Sequence, residues 1–402
     1  MSLPEPEVVS LGCRLNIAES ETIRTLLAGR DDARDMVVVN SCAVTNEAVK
    51  QTRAAIRRAA RDRPGAAIVV TGCAATIDPA GFAAMPEVAR VVANDAKLAP
   101  ATWGAPPSLV PVAFAGHARA FVEVQNGCDH SCTFCIIPQG RGASRSVPAG
   151  LVIERVRALV EAGHREIVLT GVDLTSYGPD LPGRPTLGAL VERILTHVPE
   201  LPRLRLSSLD SVEIDERLFA LVTQEPRVMP HLHLSLQAGH DLILKRMKRR
   251  HSRAQSVALV ERLKAARPEL AIGADLIAGF PTEDDAMFAD TLALIDDADI
   301  VHAHIFPYSP RTGTPAARMP QVAPELRRER AARLRAAAAA RRGRWLASLV
   351  GSEQAILVER PGTRGHAGNF ADIHCTSPAE PGTLRRVAVT GATDTNLIGT
   401  LL

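Results

Sequence analysis

A chain of 402 residues, 46% hydrophobic and 23% charged, has material for two or three folded domains and the composition of an ordinary soluble protein. No apolar stretch approaches a membrane span, and the opening MSLPEPEVVSLGC has neither the basic nor the apolar region of an export signal. The expectation is therefore a cytoplasmic protein with no membrane association, whose seven cysteines serve metal or catalysis rather than disulfides, and whose net charge of +3 does not by itself imply nucleic acid.

The first hundred residues repeat one pattern. Val8-Val9-Ser10-Leu11-Gly12-Cys13, Val37-Val38-Val39-Asn40-Ser41-Cys42 and Ile68-Val69-Val70-Thr71-Gly72-Cys73 are three β-branched runs, each ending in a cysteine. Helical segments, Glu19–Ala28 and Asn46–Arg61, lie between them. Strands alternating with helices imply a parallel sheet, whose strand C-termini share one edge. Cys13, Cys42 and Cys73 are thus expected to converge at that edge and hold an iron–sulfur cluster with one iron left open. The rival reading is three buried core thiols.

A Pro- and Ala-rich stretch, Pro100 to Gly116, reads as a linker. Beyond it, Cys128-Asp-His-Ser-Cys132-Thr-Phe-Cys135 packs three thiols on one short loop. That spacing can hold three corners of a cubic cluster, leaving an iron without a protein ligand where a substrate or cofactor can coordinate. The common ferredoxin run supplies four cysteines, and no fourth lies nearby. Zinc is the alternative, but structural zinc closes with four ligands and only His130 is at hand.

Six predicted strands follow in turn: Phe121–Val124, Glu166–Thr170, Arg203–Ser207, His231–Leu236, Ala271–Ala278 and Val301–Phe306. Helices Gly150–Ala162, Leu187–His197 and Ser252–Arg267 fall between them, which implies an open partial (β/α)6 barrel. Chemistry in such barrels sits at the strand C-termini. Loops containing Thr170, Gly171, Asp173, Ser207, Ser208 and Gln237 should therefore surround the cysteine loop. His231, His233, His302 and His304 alternate along two strands, so each pair shares a face, and hydrogen-bonded barrel histidines are expected there in preference to a metal site. Tyr177 and Tyr308 suit base stacking or core packing equally.

Three basic clusters stand out: Arg53 to Arg63, Lys245 to Arg253, and eight arginines from Arg327 to Arg344. Each suits a solvated helix face, but together they favour a polyanionic partner. From about residue 350 the chain alternates in short β-like stretches, Gln354–Val358, Ala371–Cys375 and Arg385–Val389, expected as a small β-barrel. Cys375 reads as a core thiol.

With both cysteine sets placed, the whole chain resembles the radical S-adenosylmethionine methylthiotransferases. Leu11-Gly12-Cys13-Arg14-Leu15-Asn16, Asn40-Ser41-Cys42-Ala43-Val44-Thr45-Asn46 and Thr71-Gly72-Cys73 resemble the family's N-terminal cluster domain. Cys128, Cys132 and Cys135 match its radical-cluster motif, and the last sixty residues are similar to the RNA-binding TRAM module. The best match is the branch acting on N6-threonylcarbamoyladenosine at position 37 of tRNA, on Cys42–Asn46, Arg53-Ala-Ala-Ile-Arg57-Arg58, Gly127–Gly142 and Leu169–Gly178. Two runs depart from the pattern: Leu234-Ser235-Leu236-Gln237-Ala238-Gly239 stands for Pro-Leu-Gln-Ser-Gly, and Phe280-Pro281-Thr282-Glu283 for Phe-Pro-Gly-Glu.

The resemblance implies three domains, 1–105, 114–342 and 343–402. It also implies two [4Fe-4S] clusters and S-adenosyl-L-methionine, which yields a 5′-deoxyadenosyl radical that takes hydrogen from C2 of the adenine. Sulfur is then expected from the Cys13–Cys42–Cys73 cluster and the methyl group from a second S-adenosylmethionine. Implied partners are tRNA, a flavodoxin- or ferredoxin-like electron donor and a sulfur source. Rival expectations are isopentenyladenosine in tRNA or a ribosomal-protein aspartate as substrate, an iron–sulfur electron carrier with an RNA-binding tail, and a zinc-dependent RNA-binding protein.

Overall fold

The computed structural model describes residues 6–28, 30, 33–106 and 117–402. The chain divides into two compact units. The first comprises residues 1–115 with two later segments, 125–130 and 135–145; the second comprises 116–124, 131–134 and 146–402.

In the first unit, strands β1 (Glu7–Ser10), β2 (Met36–Ser41), β3 (Ala67–Gly72) and β4 (Val88–Val91) form one parallel sheet in sequence order. Alternation along β2 divides the core. Val37 and Val39 pack with Ile56 of the helix Asn46–Asp62 on one face, and Val38 packs with Ile23 and Leu26 of the helix Arg14–Leu27 on the other. Both faces being covered explains why β2 and β3 are almost continuously apolar. The three expected strands are all present, and β4 is an addition to them. The expected linker is anchored at its start: Pro100–Trp103 is a 3-10 turn whose Trp103 is buried and donates its indole N–H to Lys97 O at 2.6 Å. Residues 107–116 of that stretch lie outside the described residues.

In the second unit, β5 (Ala120–Glu123) opens the barrel; along the chain, two-residue strands β6 (Gln125–Asn126), in the first unit, and β7 (Arg145–Ser146), at the boundary, flank the cysteine loop. The barrel continues with β8 (Glu166–Thr170), β9 (Arg203–Leu206), β10 (Ser208–Leu209), β11 (His231–Gln237), β12 (Ala271–Ala278) and β13 (Ile300–Pro307). All pair in parallel, as β5-β8-β9 and β10-β11-β12-β13. The six expected strands are found within a residue or two of their predicted ends. The third breaks at Ser207, whose N–H still donates to Leu169 O of β8 while Ser208 begins pairing with His233 of β11. This residue is where the ladder changes partners.

The end of the chain is a closed five-stranded barrel of β14 (Glu353–Glu359), β15 (Arg364–Ala367), β16 (Asp372–Cys375), β17 (Leu384–Ala392) and β18 (Leu397–Leu401), in the order β14-β15-β16-β18-β17. Its core is continuous with Trp345 and Leu346 of the helix Pro324–Ser348 and with Ala271 and Val301 of the larger barrel. The arginines of that helix are less available than its sequence implies. Arg330 is buried on Glu283 and Asp285, while Arg341 and Arg344 pair with Asp296 and Asp299. The helix Asp285–Asp297 supplies partners to Arg330, Arg341 and Arg344, while Arg328 and Arg333 pair with Glu325 and Glu329 of their own helix.

Candidate active site

The cysteines of the first unit sit where strand becomes helix. Cys13 is the N-cap of the helix Arg14–Leu27, Cys42 follows β2, and Cys73 begins the short helix Cys73–Ile77. Parallel register brings these ends level, with Ser10 beside Asn40 and Ser41 beside Gly72. Gly12, at φ 101°, permits the approach: a Cβ there would lie 2.7 Å from Cys42 Cβ and 2.8 Å from its Sγ. Cys73 lies within electrostatic reach of Cys13, and both lie within reach of Cys42. Burial pushes the Cys42 thiol above its usual pKa, and the charges of Cys13 and Cys73 push it the same way. Desolvation also raises the Cys13 thiol, against the charge of Arg141.

Beneath these thiols lies a buried polar network. Asn16 donates to Leu11 O and Ser41 O, and Asn40 donates to Asn16 O and Ser20 Oγ. Lys97 reaches Glu19 at 2.6 Å. Arg141 donates from Nε to Cys73 Sγ at 3.1 Å and from its two terminal nitrogens to Glu19, Asn16 and Asn126. Desolvation works to raise the Glu19 carboxyl, but Lys97 and Arg141 together hold it at about 2. Three converging thiols with N–H donors on a ligand sulfur and buried positive charge beside them suit an anionic iron–sulfur cluster.

The second cysteine set is tied down by its own loop. Cys128 N–H donates to Gly142 O at 3.1 Å, and Gly127, at φ 73°, lies so close to Ala143 that a Cβ would meet its carbonyl oxygen at 1.9 Å. Ile137 N–H points at Cys135 Sγ at 3.4 Å. In the second unit, Thr133 is held by Met247 O, Arg246 O and the N–H of Ala316. Arg249 reaches Cys132 Sγ at 3.7 Å while binding Asp210 Oδ2 at 3.0 Å and Ser235 O at 2.9 Å. Arg249 and Arg141 are the site residues that sequence reasoning missed. Arg249 was hidden in a basic cluster read as a solvated or phosphate-binding face, and its side chain is turned inward.

The remaining expected residues divide by environment. Thr170 is buried at the end of β8. Gly171 and Asp173 follow it, and Asp173 accepts from Thr175 Oγ1 and Ser176 Oγ, so it shapes its own turn. Ser207 is buried, and among the described residues its hydroxyl has no partner, which suits a ligand group. Ser208 is half-buried at the start of β10. Gln237 ends β11 at φ 68°, where the β11–β12 register shifts, a strained conformation of the kind that gathers at functional sites. Thr282 takes φ 67° at the position where the resembling run has glycine.

The histidines behave as hydrogen-bonded barrel residues. His233 and His304 share Asp275 Oδ1 at 2.9 and 3.2 Å, and His302 bonds Asn369 O while packing on His231 and Trp345. Tyr177 donates to Val147 O and Tyr308 packs on Phe280, so both belong to the core.

A partial parallel barrel with a CxxxCxxC loop after its first strand is the architecture of the radical S-adenosylmethionine proteins, and residues 122–295 match the model of the Radical SAM superfamily. Residues 6–93 match the uncharacterized protein family UPF0004. The chain is 46% identical to the threonylcarbamoyladenosine tRNA methylthiotransferase MtaB of Rickettsia prowazekii, over 91% of this chain and 90% of that one. It is 34% identical to the tRNA-2-methylthio-N(6)-dimethylallyladenosine synthase of Erythrobacter litoralis, over 90% and 88%. The chain belongs to the radical S-adenosylmethionine tRNA methylthiotransferase family. Among solved structures, the radical S-adenosylmethionine methyltransferase TsrM of Kitasatospora setae shares the fold, with a TM-score of 0.53 at 15% identity over 79% of this chain and 77% of that one. No helix among the described residues is long and apolar enough to cross a membrane.

Proposed function

We propose that this enzyme methylthiolates C2 of N6-threonylcarbamoyladenosine at position 37 of tRNA. The observation that carries the choice of nucleoside is the 46% identity, nearly end to end, to a relative named for that substrate, against 34% to one named for the dimethylallyl nucleoside. In this reading Cys128, Cys132 and Cys135 hold one [4Fe-4S] cluster, and Cys13, Cys42 and Cys73 hold a second. When bound, S-adenosylmethionine and the two clusters supply the carbon radical and the sulfur that an unactivated aromatic C–H requires.

The chain's own residues do the positioning. Ile137 N–H and Arg249 donate to the sulfurs of Cys135 and Cys132, which fixes their rotamers and stabilises negative charge on them. The unpartnered Ser207 hydroxyl, with Thr170, Gly171, Asp173, Ser208 and Gln237 at neighbouring strand ends, orients the cofactor. Ion pairing within the Pro324–Ser348 helix leaves Arg57, Arg58 and Arg61 of the first unit among the exposed cations available to tRNA phosphates. An electron donor of flavodoxin or ferredoxin type, a sulfur source, cytoplasmic residence and a three-domain division at 1–105, 114–342 and 343–402 complete this reading.

Mass spectrometry of tRNA nucleosides from cells with and without the gene tests the substrate. Loss of 2-methylthio-threonylcarbamoyladenosine on deletion is expected. Loss of the methylthio-isopentenyl nucleoside alone would move the enzyme to the other branch.

A further inference from the structure

Arg141 lies on the segment 135–145 that also carries Cys135, yet its side chain is spent within the first unit. The residue is 5% exposed, and every guanidinium nitrogen has a partner: Nε on Cys73 Sγ at 3.1 Å, Nη1 on Glu19 Oε1 at 2.8 Å and Asn126 Oδ1 at 3.0 Å, Nη2 on Asn16 Oδ1 at 2.6 Å and Glu19 Oε2 at 3.1 Å. Gly140 makes room for this arrangement, since a Cβ there would sit 3.2 Å from Cys73 Cβ. Asn94 supplies a second, longer N–H to the same sulfur at 3.6 Å.

The charges in this core do not cancel. Lys97 and Arg141 are cations, and Glu19 is the anion that both of them bind; all three are buried. A buried excess of positive charge is costly unless an anion sits beside it. The acceptor that takes Arg141 Nε is Cys73 Sγ, one of the three converging thiols. Hydrogen bonds to a ligand sulfur and nearby net charge are the two levers by which a protein sets the potential of an iron–sulfur centre.

We propose that Arg141 is a positioning residue that sets the redox poise of the Cys13–Cys42–Cys73 centre, through its N–H on Cys73 and through the buried positive charge that Glu19 offsets only in part. The proposal rests on reading those cysteines as cluster ligands. It has a signature that a purely structural Arg141–Glu19 ion pair lacks, because the two partners act on the potential with opposite sign. Removing Arg141 takes positive charge and a donor from the sulfur, which favours the oxidised state. Removing the Glu19 charge leaves Arg141 less neutralised, which favours the reduced state.

The test uses the full chain with Cys128, Cys132 and Cys135 replaced by alanine, so that only the second centre can load. The parent and its R141Q, R141K and E19Q derivatives are reconstituted anaerobically, assayed for iron and sulfide, and titrated potentiometrically with electron paramagnetic resonance detection. We expect R141Q to shift the one-electron reduction equilibrium about tenfold toward the oxidised form, 59 mV for n = 1. E19Q should shift it the other way, and R141K, which keeps the charge without the planar fork, should fall between R141Q and the parent. Unchanged midpoints, or R141Q and E19Q moving in the same direction, overturn the proposal. Should R141Q fail to hold iron, the sign of the E19Q shift decides alone. A parent that loads no iron refutes the cluster reading, and this proposal falls with it.

Discussion

Gly12 shows how much of this site depends on single atoms. Its φ of 101° lies in the region that favours glycine, and Cys42 occupies the space a side chain would take. G12A should therefore cost about 1–3 kcal/mol from backbone strain and, more tellingly, drive Cys42 out of line with Cys13 and Cys73. Iron and sulfide analysis of the anaerobic protein should show less iron per chain, with the loss confined to the centre built on those three residues. Full iron content and an unchanged melting temperature would show that the backbone yields there. Ser207 invites a parallel argument: among the described residues its buried hydroxyl has no partner, and such a group is retained at a cost unless a ligand completes it.

The joint between the large barrel and the terminal one is built on the loop between β15 and β16. Phe370, at φ 68°, lies 4.9 Å from the Arg205 guanidinium and 5.5 Å from that of Arg119, with His231 and His366 rings at 5.1 and 4.6 Å. Arg205 also donates to Gly368 O and Ala367 O. An aromatic ring and its stacked cations join the two barrels here, beside the apolar core that Trp345, Leu346, Ala271 and Val301 share with the terminal barrel. F370A should lower stability by about 2 kcal/mol and split calorimetric unfolding into two transitions, the lower one belonging to residues 353–402. A single transition at the parent temperature would locate the joint in the Trp345–Leu346 core instead.

At the scale of the whole molecule, two buried carboxylates tie stability to acid. Glu166 is enclosed by Arg205, Arg119 and Arg203, which overcome its desolvation and hold it at about 2, and Glu19 is held at about 2 by Lys97 and Arg141. Both lie below the usual 4.5, so from pH 4.5 down to 2 the unfolded chain takes up protons that the folded chain refuses. Stability from these groups is fully present above pH 4.5 and is lost as pH falls toward 2. Unfolding free energies from denaturant melts should fall across that window by up to ~3 kcal/mol per group. E166Q should be less stable near neutrality, where it leaves Arg203 and Arg205 without their buried carboxylate while Arg119 keeps Glu359, yet flatter in acid. A slope as steep as the parent's would assign the acid sensitivity elsewhere.

Local patterns were enough for the elements and the cysteine sets. Runs such as Val37–Val39 are covered on both faces and therefore apolar throughout, and each ends on its cysteine, so strand, sheet type and converging edge follow from neighbours in the chain. The same holds for the six barrel strands and for the spacing Cys128–Cys132–Cys135. Long-range pairing decided the rest. Arg141 meets Glu19 across 122 residues and Arg249 meets Cys132 across 117, and neither partner can be read from the residues beside the arginine. An arginine's role depends on which anion or sulfur the fold delivers to its donors, and that delivery is a property of tertiary structure alone.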